Sequence, residues 1–202
     1  MKIQFKRQQF QADAAAAVVR VFQGQPKSDA LYNVDPGRLD ASSLLQTDIV
    51  GYGNFRPVPE LTDRRVLRQL NDVQRENGIP LSPKLERSER MNGGYNLTIE
   101  METGVGKTYS YIKTIYELRK AYGWSKFIIV VPSIAVREGV YKTFEITQDH
   151  FAEEYGERID YFIYNSEQLS QISGFATSSG IKAMIINAQA FNARGEKARR
   201  IN

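Results

Sequence analysis

The stretch Glu102-Thr-Gly-Val-Gly-Lys-Thr108 contains the residue types of a phosphate-binding loop. Glycine lets the main chain approach phosphate oxygens, and the free N–H groups at the start of a following helix attract anions. The Lys107 ammonium can reach the β- and γ-phosphates of ATP, and the Thr108 hydroxyl can ligate Mg²⁺. We therefore predict ATP and Mg²⁺ as cofactors, with Lys107 as the catalytic cation and Thr108 as the metal ligand. The predicted nucleotide-binding residues of the loop are Thr103, Gly104, Val105, Gly106, Lys107 and Thr108.

The match to the general phosphate-loop pattern is incomplete at one position. That pattern is a glycine, four further residues and then Gly-Lys-Ser/Thr, and Met101 stands where the first glycine belongs. A glycine turn that only happens to precede a lysine is the alternative interpretation. The surrounding sequence favours the phosphate loop, because an extended pattern leads into the turn and a helical pattern leaves it.

The loop is expected to lie at the edge of a parallel sheet, because strand and helix patterns alternate after it. Strands are predicted over residues 96–101, 127–131, 159–164 and 181–186, and helices over 107–122, from Ser133 onwards, over 166–172 and over 188–200. The uninterrupted apolar run 127–131 indicates a strand that is covered on both faces. These patterns predict an α/β fold with helices on both faces of a parallel sheet. Ligands bind at the carboxyl ends of such strands, so residues 103–108, 132–133 and 187–189 should line one edge.

The chain ahead of the loop is predicted to begin with a helix over residues 8–22, which ends near Gly24. Residues 24–94 contain many prolines and no alternating apolar strand, which indicates an irregular insertion. One helix is predicted within it over 63–77, with Thr62 as its N-cap and Leu61 packed onto Val66. We therefore divide the chain into an N-terminal helix (1–23), an insertion with one helix (24–94) and the phosphate-loop lobe (95–202).

The predicted helices carry apolar faces that should point to the core. They consist of Ile112, Ile115, Tyr116 and Leu118 in the helix after the loop, of Val136, Val140, Tyr141 and Phe144 in the helix after Ser133, and of Val66, Leu67, Leu70 and Val73 in the insertion.

Composition excludes several other kinds of site. The 202 residues are 42% hydrophobic and 25% charged, as in an ordinary globular protein, and the formal net charge is +4. The chain has no cysteine, and His150 is its one histidine, so neither a thiolate metal site nor a zinc site can be built. The longest apolar run, 127–131, is far shorter than a membrane span, and the N-terminus lacks a signal peptide's apolar core. We expect a soluble, cytoplasmic protein without a membrane partner.

The loop resembles the first motif of superfamily 2 helicases, which reads Thr-Gly-x-Gly-Lys-Thr and does not require the leading glycine. Phe10-Gln11-x-x-Ala14 resembles the aromatic-Gln-x-x-Ala element of that superfamily, in which the glutamine reads adenine. The resemblance implies that Phe10 and Gln11 bind nucleotide, and it favours Gln11 over Gln9, although a surface glutamine is the simpler interpretation of either residue alone. It also implies the RecA-like first motor lobe of a P-loop NTPase.

Two further motifs resemble helicase elements that contact a nucleic-acid backbone. Val130-Val-Pro-Ser133, continuing through Arg137, is similar to the motif after the second strand, and Ile185-Ile-Asn-Ala-Gln189 is similar to a later strand-end motif. The resemblance implies that Ser133, Arg137 and Gln189 bind DNA. Ser133 could instead be only a helix cap, Arg137 only a surface charge, and Gln189 only the start of a helix.

Most closely, Met101-Glu-Thr-Gly-x-Gly-Lys-Thr108, Val131-Pro-Ser-Ile-Ala-Val-Arg-Glu-Gly139 and Ile186-Asn-Ala-Gln-Ala-Phe-Asn192 resemble the restriction (Res) subunit of type III restriction-modification enzymes. This implies a protein that moves on double-stranded DNA with ATP, cleaves DNA in its full-length form and works with a methyltransferase (Mod) subunit.

The acidic Asp-Glu box of this superfamily should follow the next strand, and we expect the chain to end before it. The 202 residues are then an N-terminal fragment that binds nucleotide weakly and hydrolyses it hardly at all. Another superfamily 2 DNA helicase and a non-catalytic nucleotide-binding module are the alternatives.

Overall fold

The computed structural model describes residues 5–28, 32–35, 49–54, 57–87, 94–165 and 167–191. The chain divides into two compact units. The loop unit comprises residues 5–27 and 56–122, and the sheet unit comprises residues 1–4, 28–55 and 123–202. In chain order the elements are α1 (Gln9–Val21), β1 (Tyr32–Asp35), β2 (Ile49–Tyr52), α2 (Asp63–Glu76), β3 (Glu86–Arg87), β4 (Tyr95–Asn96), α3 (Lys107–Tyr122), β5 (Lys126–Val131), α4 (Ile134–Tyr155), β6 (Asp160–Ile163), α5 (Leu169–Thr177), β7 (Lys182–Asn187) and α6 (Ala188–Phe191).

The loop unit is built on helix α1, which packs against both α2 and α3. The predicted α3 is confirmed at both ends, and the four residues of its predicted inner face are buried. Its last residue, Tyr122, donates a hydrogen bond from its hydroxyl to the Val19 carbonyl oxygen of α1 at 2.6 Å. Gly123 follows with φ +77°, a backbone conformation that ends the helix at low steric cost. The two helices are therefore joined at the end of α3 that is remote from the phosphate loop.

Helix α2 confirms the one helix predicted within residues 24–94. The Thr62 hydroxyl caps it by accepting the backbone N–H of Arg65, as predicted for its N-terminus. Val66 and Leu61 are both buried, and they form a core cluster with Val21 of α1. This cluster attaches α2 to the N-terminal helix, and the apolar residues packed around it are Phe22, Val58, Leu70, Leu85, Tyr95 and Leu97.

The strand predicted over residues 96–101 is wrong. Only Tyr95 and Asn96 are extended, and they pair antiparallel with Glu86 and Arg87 rather than joining a parallel sheet. Ile99 is exposed. The residues after Asn96 have β-forming types, but a strand is stable only where a neighbour accepts its backbone hydrogen bonds and its side chains are covered. Within the described chain, residues 97–101 lead into the loop without a strand partner.

Three short strands in residues 24–94 were not predicted, namely β1, β2 and the two-residue β3 described above. β1 and β2 pair antiparallel, with Tyr32 opposite Tyr52 and Asp35 opposite Ile49. Each is four residues long, which is too short for an alternating pattern to stand out. The expectation that this region lacks strands is therefore wrong, whereas the division of the chain into three parts stays a prediction.

The sheet unit contains a parallel three-stranded sheet in the order β5-β7-β6. Val131 lies opposite Asn187 at the carboxyl ends of β5 and β7, and Ile163 lies opposite Ile185. These strands confirm the predictions over 127–131, 159–164 and 181–186 within one residue at each end. In the central strand β7, residues 183–187 are all buried.

Helices cover both faces of this sheet, as predicted. Tyr161 of β6 packs against Tyr141 and Phe144 of α4, and the next residue, Phe162, packs against Phe175 of α5. Successive strand residues point to opposite faces, so α4 and α5 lie on opposite sides. The confirmed fold is α/β.

Several details of the sheet unit differ from prediction. α5 begins at Leu169 rather than at 166 and continues to Thr177, and Ser166 lies outside the described residues.

β5 is not covered on both faces, because it is an outer strand of the described sheet and Ile128 and Val130 are 42% and 46% exposed. Of the predicted inner face of α4, Val140 and Phe144 are buried as predicted, whereas Val136 and Tyr141 are exposed. Of the helix predicted over 188–200, residues 188–191 are helical and the rest lies outside the described chain.

Candidate nucleotide-binding site

Two glycines give the phosphate loop its shape. Gly104 and Gly106 both have φ +84°, in the left-handed region that residues with a side chain rarely adopt. A Cβ atom added at Gly106 would lie 2.6 Å from Nε2 of Gln11, whereas one at Gly104 would meet nothing within 4 Å. Gly104 is therefore required for its backbone angle alone, and Gly106 for its angle and for space.

The loop leads directly into α3, whose first residue is Lys107. The earliest helical hydrogen bond runs from the Ser110 N–H to the Gly106 carbonyl oxygen at 3.0 Å, so helix geometry gives the N–H groups of the first turn no intrahelical acceptor. No acidic residue lies in that turn. Donor groups and the positive end of the helix dipole therefore coincide, with no carboxylate in the first turn of the helix, and such an arrangement favours phosphate.

The Lys107 side chain is exposed and turns back onto the loop. Its ammonium donates a hydrogen bond to the Glu102 carbonyl oxygen at 2.6 Å. This contact joins the first residue of α3 to the first residue of the loop, and it keeps the cation beside the loop instead of extended into solvent. A phosphate oxygen is an anionic acceptor and forms a stronger hydrogen bond with an ammonium than a neutral carbonyl does.

Thr108 lies beside a buried phenol. Burial raises the pKa of Tyr111, and the Thr108 side chain acts on that pKa in the opposite direction and more weakly. Tyr111 is therefore a neutral neighbour of the Thr108 hydroxyl at physiological pH. The role of that hydroxyl as an oxygen ligand for Mg²⁺ stays a prediction.

Gln11 reaches the loop, and Gln9 does not. The Gln11 side chain is buried (8% exposed), and its Nε2 donates to the Val105 carbonyl oxygen at 2.9 Å. The Gln9 amide instead donates to Asp13 on the same helix, and Phe10 is exposed. The structure thus brings together Gln11, Val105 and Gly106, while the adenine-binding roles of Phe10 and Gln11 stay predictions.

One aromatic contact at the site was not predicted. The Phe5 ring stacks on that of Tyr109, with the centroids 6.0 Å apart and the planes at 29°. It joins the segment ahead of α1 to the first turn of α3. Nothing in the sequence indicates it beyond the aromatic type of the two residues, because they are far apart in the chain.

The candidate DNA-binding residues belong to the sheet unit. Ser133 and Gln189 follow β5 and β7, whose last residues are paired, so both lie at the carboxyl edge of the sheet as predicted. The Ser133 hydroxyl accepts the Val136 N–H at 3.3 Å, which makes it the cap of α4. Arg137 forms an ion pair with Glu138 at 2.8 Å, and Gln189 is exposed. The position of the phosphate loop at this same edge stays a prediction, as does DNA binding by the three residues.

Two kinds of feature are absent from the described residues. These residues contain no group of three or more histidine, cysteine, aspartate or glutamate side chains arranged to hold a metal ion. None of the helices in the same residues has the length and apolarity needed to cross a bilayer.

A glycine loop entering a helix, in a chain that also forms a parallel sheet covered on both faces, defines the class of P-loop nucleoside triphosphatases. Within that class, the sequence profile described as type III restriction enzyme, res subunit, matches residues 62–201. The chain belongs to this family, and the matched part is the family's ATPase motor region.

Three relatives carry the same assignment. The type III restriction-modification enzyme EcoPI Res subunit of Escherichia phage P1 is 31% identical over 55% of this chain and 11% of its own length. The EcoP15I Res subunit of Escherichia coli is 32% identical over 55% and 11%. The StyLTI Res subunit of Salmonella typhimurium is 33% identical over 52% and 12%. The matched region therefore spans about a tenth of each relative's length.

Proposed function

We propose that the chain binds ATP with Mg²⁺ at the phosphate loop, as part of the motor region of a type III Res subunit. The single observation that supports this most is the junction of the loop with α3. There two left-handed glycines, the first-turn N–H groups and the Lys107 ammonium lie together, with no acidic residue in the turn. Such a junction has the charge and the donors that a triphosphate requires.

Each loop residue has a distinct role in this proposal. The backbone N–H groups of residues 103–106 surround the β-phosphate, and Lys107 exchanges its bond with the Glu102 carbonyl for the β- and γ-phosphate oxygens. Thr108 supplies a hydroxyl ligand to Mg²⁺, which neutralises phosphate charge when bound. Gln11 and Phe10, at the start of α1, contact the adenine base.

The activity of the whole protein is proposed from its relatives. They are named as Res subunits of type III restriction-modification enzymes. We propose that the full protein is an ATP-dependent translocase or helicase on double-stranded DNA and a site-specific endodeoxyribonuclease, acting in the cytoplasm with a methyltransferase (Mod) subunit. Ser133, Arg137 and Gln189 would contact the DNA backbone from the carboxyl edge of the sheet.

Nucleotide binding by this chain is tested with the variant Lys107→Ala. Removing the ammonium takes away the main cation for the phosphates, so ATP binding measured by titration calorimetry with Mg²⁺ should fall by a factor of about 100, or become undetectable. The matched control is Lys120→Ala, an exposed lysine in the last turn of the same helix, which should bind ATP like the unmodified chain. Unchanged affinity in Lys107→Ala would show that the loop is not the site.

A further inference from the structure

The Gln11 amide contacts the phosphate loop at two successive residues. Its Nε2 atom lies 2.9 Å from the Val105 carbonyl oxygen and would lie 2.6 Å from a Cβ atom at Gly106. The glutamine is buried, so water does not compete strongly for this hydrogen bond. The amide therefore occupies the space that the missing side chain of Gly106 leaves open.

The helix that carries Gln11 is held to the helix that begins at the loop. Ala15 of α1 is fully buried, α1 packs along α3, and the Tyr122 hydroxyl joins the far end of α3 to Val19. At the near end, the Gly106 carbonyl oxygen accepts from both the N–H and the hydroxyl of Ser110. Val105 and Gly106 are thus held from one side by α1 and from the other by α3.

A primary amide has more hydrogen-bonding capacity than this contact uses. Gln11 carries two N–H donors and one carbonyl acceptor, and Val105 takes one donor. One N–H and the carbonyl oxygen remain for another partner. Reading a base and holding the loop are therefore separable tasks of the same side chain.

We propose that Gln11 is a positioning residue of the phosphate loop. Its hydrogen bond to the Val105 carbonyl oxygen holds the loop in the phosphate-binding conformation whether or not a base is bound. The inference rests on the proposed function, since it presupposes that the loop binds a triphosphate. It differs from base reading in its consequence. A glutamine that only reads adenine contributes nothing to the affinity for a ligand without a base. A glutamine that positions the loop contributes to the affinity for every ligand that has the phosphates.

The test compares ATP with inorganic tripolyphosphate, both with Mg²⁺, by titration calorimetry. The variants are Gln11→Met, which has similar length and no donor, and Gln11→Glu, which places an oxygen against the Val105 carbonyl. Both should weaken binding of tripolyphosphate as well as ATP by about fivefold to tenfold, the effect of one net hydrogen bond. Tripolyphosphate affinity that is unchanged while ATP affinity falls would overturn the inference and leave base reading in place.

The control variant is Gln9→Met, two residues away on the same helix, where the amide donates to Asp13 and not to the loop. It should bind both ligands as the unmodified chain does. If the unmodified chain binds neither ligand, the proposed function fails together with this inference. If it binds ATP and not tripolyphosphate, this inference alone fails, because a loop held by Gln11 should bind the phosphate chain by itself.

A second measurement needs no variant. The side-chain amide protons of Gln11 can be followed by NMR in the unmodified chain while tripolyphosphate is added. A loop held by Gln11 predicts one slowly exchanging amide proton, whose resonance shifts on addition although the ligand has no base to touch it. Rapid exchange of both protons, or resonances that do not respond, would contradict the inference even if the Gln11 variants do not fold.

Discussion

At the scale of single residues, the two loop glycines meet different demands. Both have φ +84°, and only Gly106 has a side-chain atom where its Cβ would lie. Because an L-residue in the left-handed region costs about 1–2 kcal/mol, each alanine substitution should lower the free energy of unfolding by about that amount. Gly106→Ala should cost more than Gly104→Ala, since it also displaces the Gln11 amide. Urea unfolding of the two variants measures the difference.

A double variant separates the two causes at Gly106. In a Gln11→Ala background the amide is gone, so the excess cost of Gly106→Ala over Gly104→Ala should disappear, while the cost of the backbone angle remains. Residues in direct contact couple in this way, and distant ones add. If the two alanine substitutions lower the free energy of unfolding equally in the unmodified background, the Gln11 amide moves aside without a loss of stability.

The residue types of the phosphate site could be predicted from sequence, and the contact that shapes it could not. Lys107 and Thr108 stand out because glycine, lysine and threonine at that spacing have a chemical reason to occur together. The bond from Gln11 to Val105 joins positions 94 residues apart. No local pattern encodes such a contact, because it exists only after α1 has packed on α3.

At the scale of elements, Tyr122 should make the packing of α1 on α3 sensitive to alkali. Burial raises the pKa of its hydroxyl, which also donates to Val19. Between the unfolded pKa of about 10 and the higher folded pKa, the native state binds more protons, so its stability falls as pH rises. Tyr122→Phe should lower the free energy of unfolding by about 1 kcal/mol at neutral pH. Thermal unfolding from pH 7 to 11 should show a shallower alkaline decline for the variant, and parallel curves would contradict this role.

The hairpin of β3 and β4 should weaken in acid. Arg87 donates to Asp63, which also accepts from the Tyr95 hydroxyl at 3.0 Å, and these bonds lower the Asp63 pKa. A lowered folded pKa gives stability that is present above the unfolded pKa, about 3.9, and is lost as pH falls through the folded value. Asp63→Asn should therefore cause a small loss at pH 7, since exposed ion pairs contribute little.

The acid dependence supplies its own control. Thermal midpoints of Asp63→Asn and of the unmodified chain should converge only once the pH falls below the lowered folded pKa of Asp63, where the carboxyl is protonated in both states. The matched variant is Asp72→Asn, at a partly exposed acidic residue of the same helix that forms an ion pair with Arg75. If the thermal midpoints of Asp63→Asn and the unmodified chain still differ in acid, the hairpin is stabilised by the shape of the Asp63 side chain and not by its charge.

Helices were predicted more reliably than strands for a physical reason. α2 and α3 satisfy their own backbone hydrogen bonds and show their apolar stripe within a few turns. The segment 96–101 has apolar and β-branched residues, but its state depends on whether a partner lies alongside. β5 illustrates the same limit, because its apolar run indicated a strand and could not indicate that Ile128 and Val130 are exposed.

At the scale of the whole molecule, the two units are interleaved along the chain. The loop unit takes residues 5–27 and 56–122, and residues 28–55 between them belong to the sheet unit, together with residues from 123 onwards. The family profile begins at residue 62, so it leaves out the helix that carries Gln11. A single cut in the chain therefore cannot release either unit whole, and the matched region alone lacks the contact to Val105.

The sequence separation of 94 between Gln11 and Val105 also determines which of the two segments is made first. During synthesis α1 emerges long before the loop it contacts, and at about 5–20 residues per second the intervening chain takes several seconds to appear. Until then the Gln11 amide has no loop to bind. Bringing together two segments that are so far apart in the chain is slow relative to local helix formation. The free-energy cost of closing the intervening loop grows slowly, by only about 0.6 kcal/mol for each doubling of its length. The phosphate-binding conformation of the loop should thus form late in folding. Residues inserted between positions 28 and 55 should slow its formation more than they lower its stability.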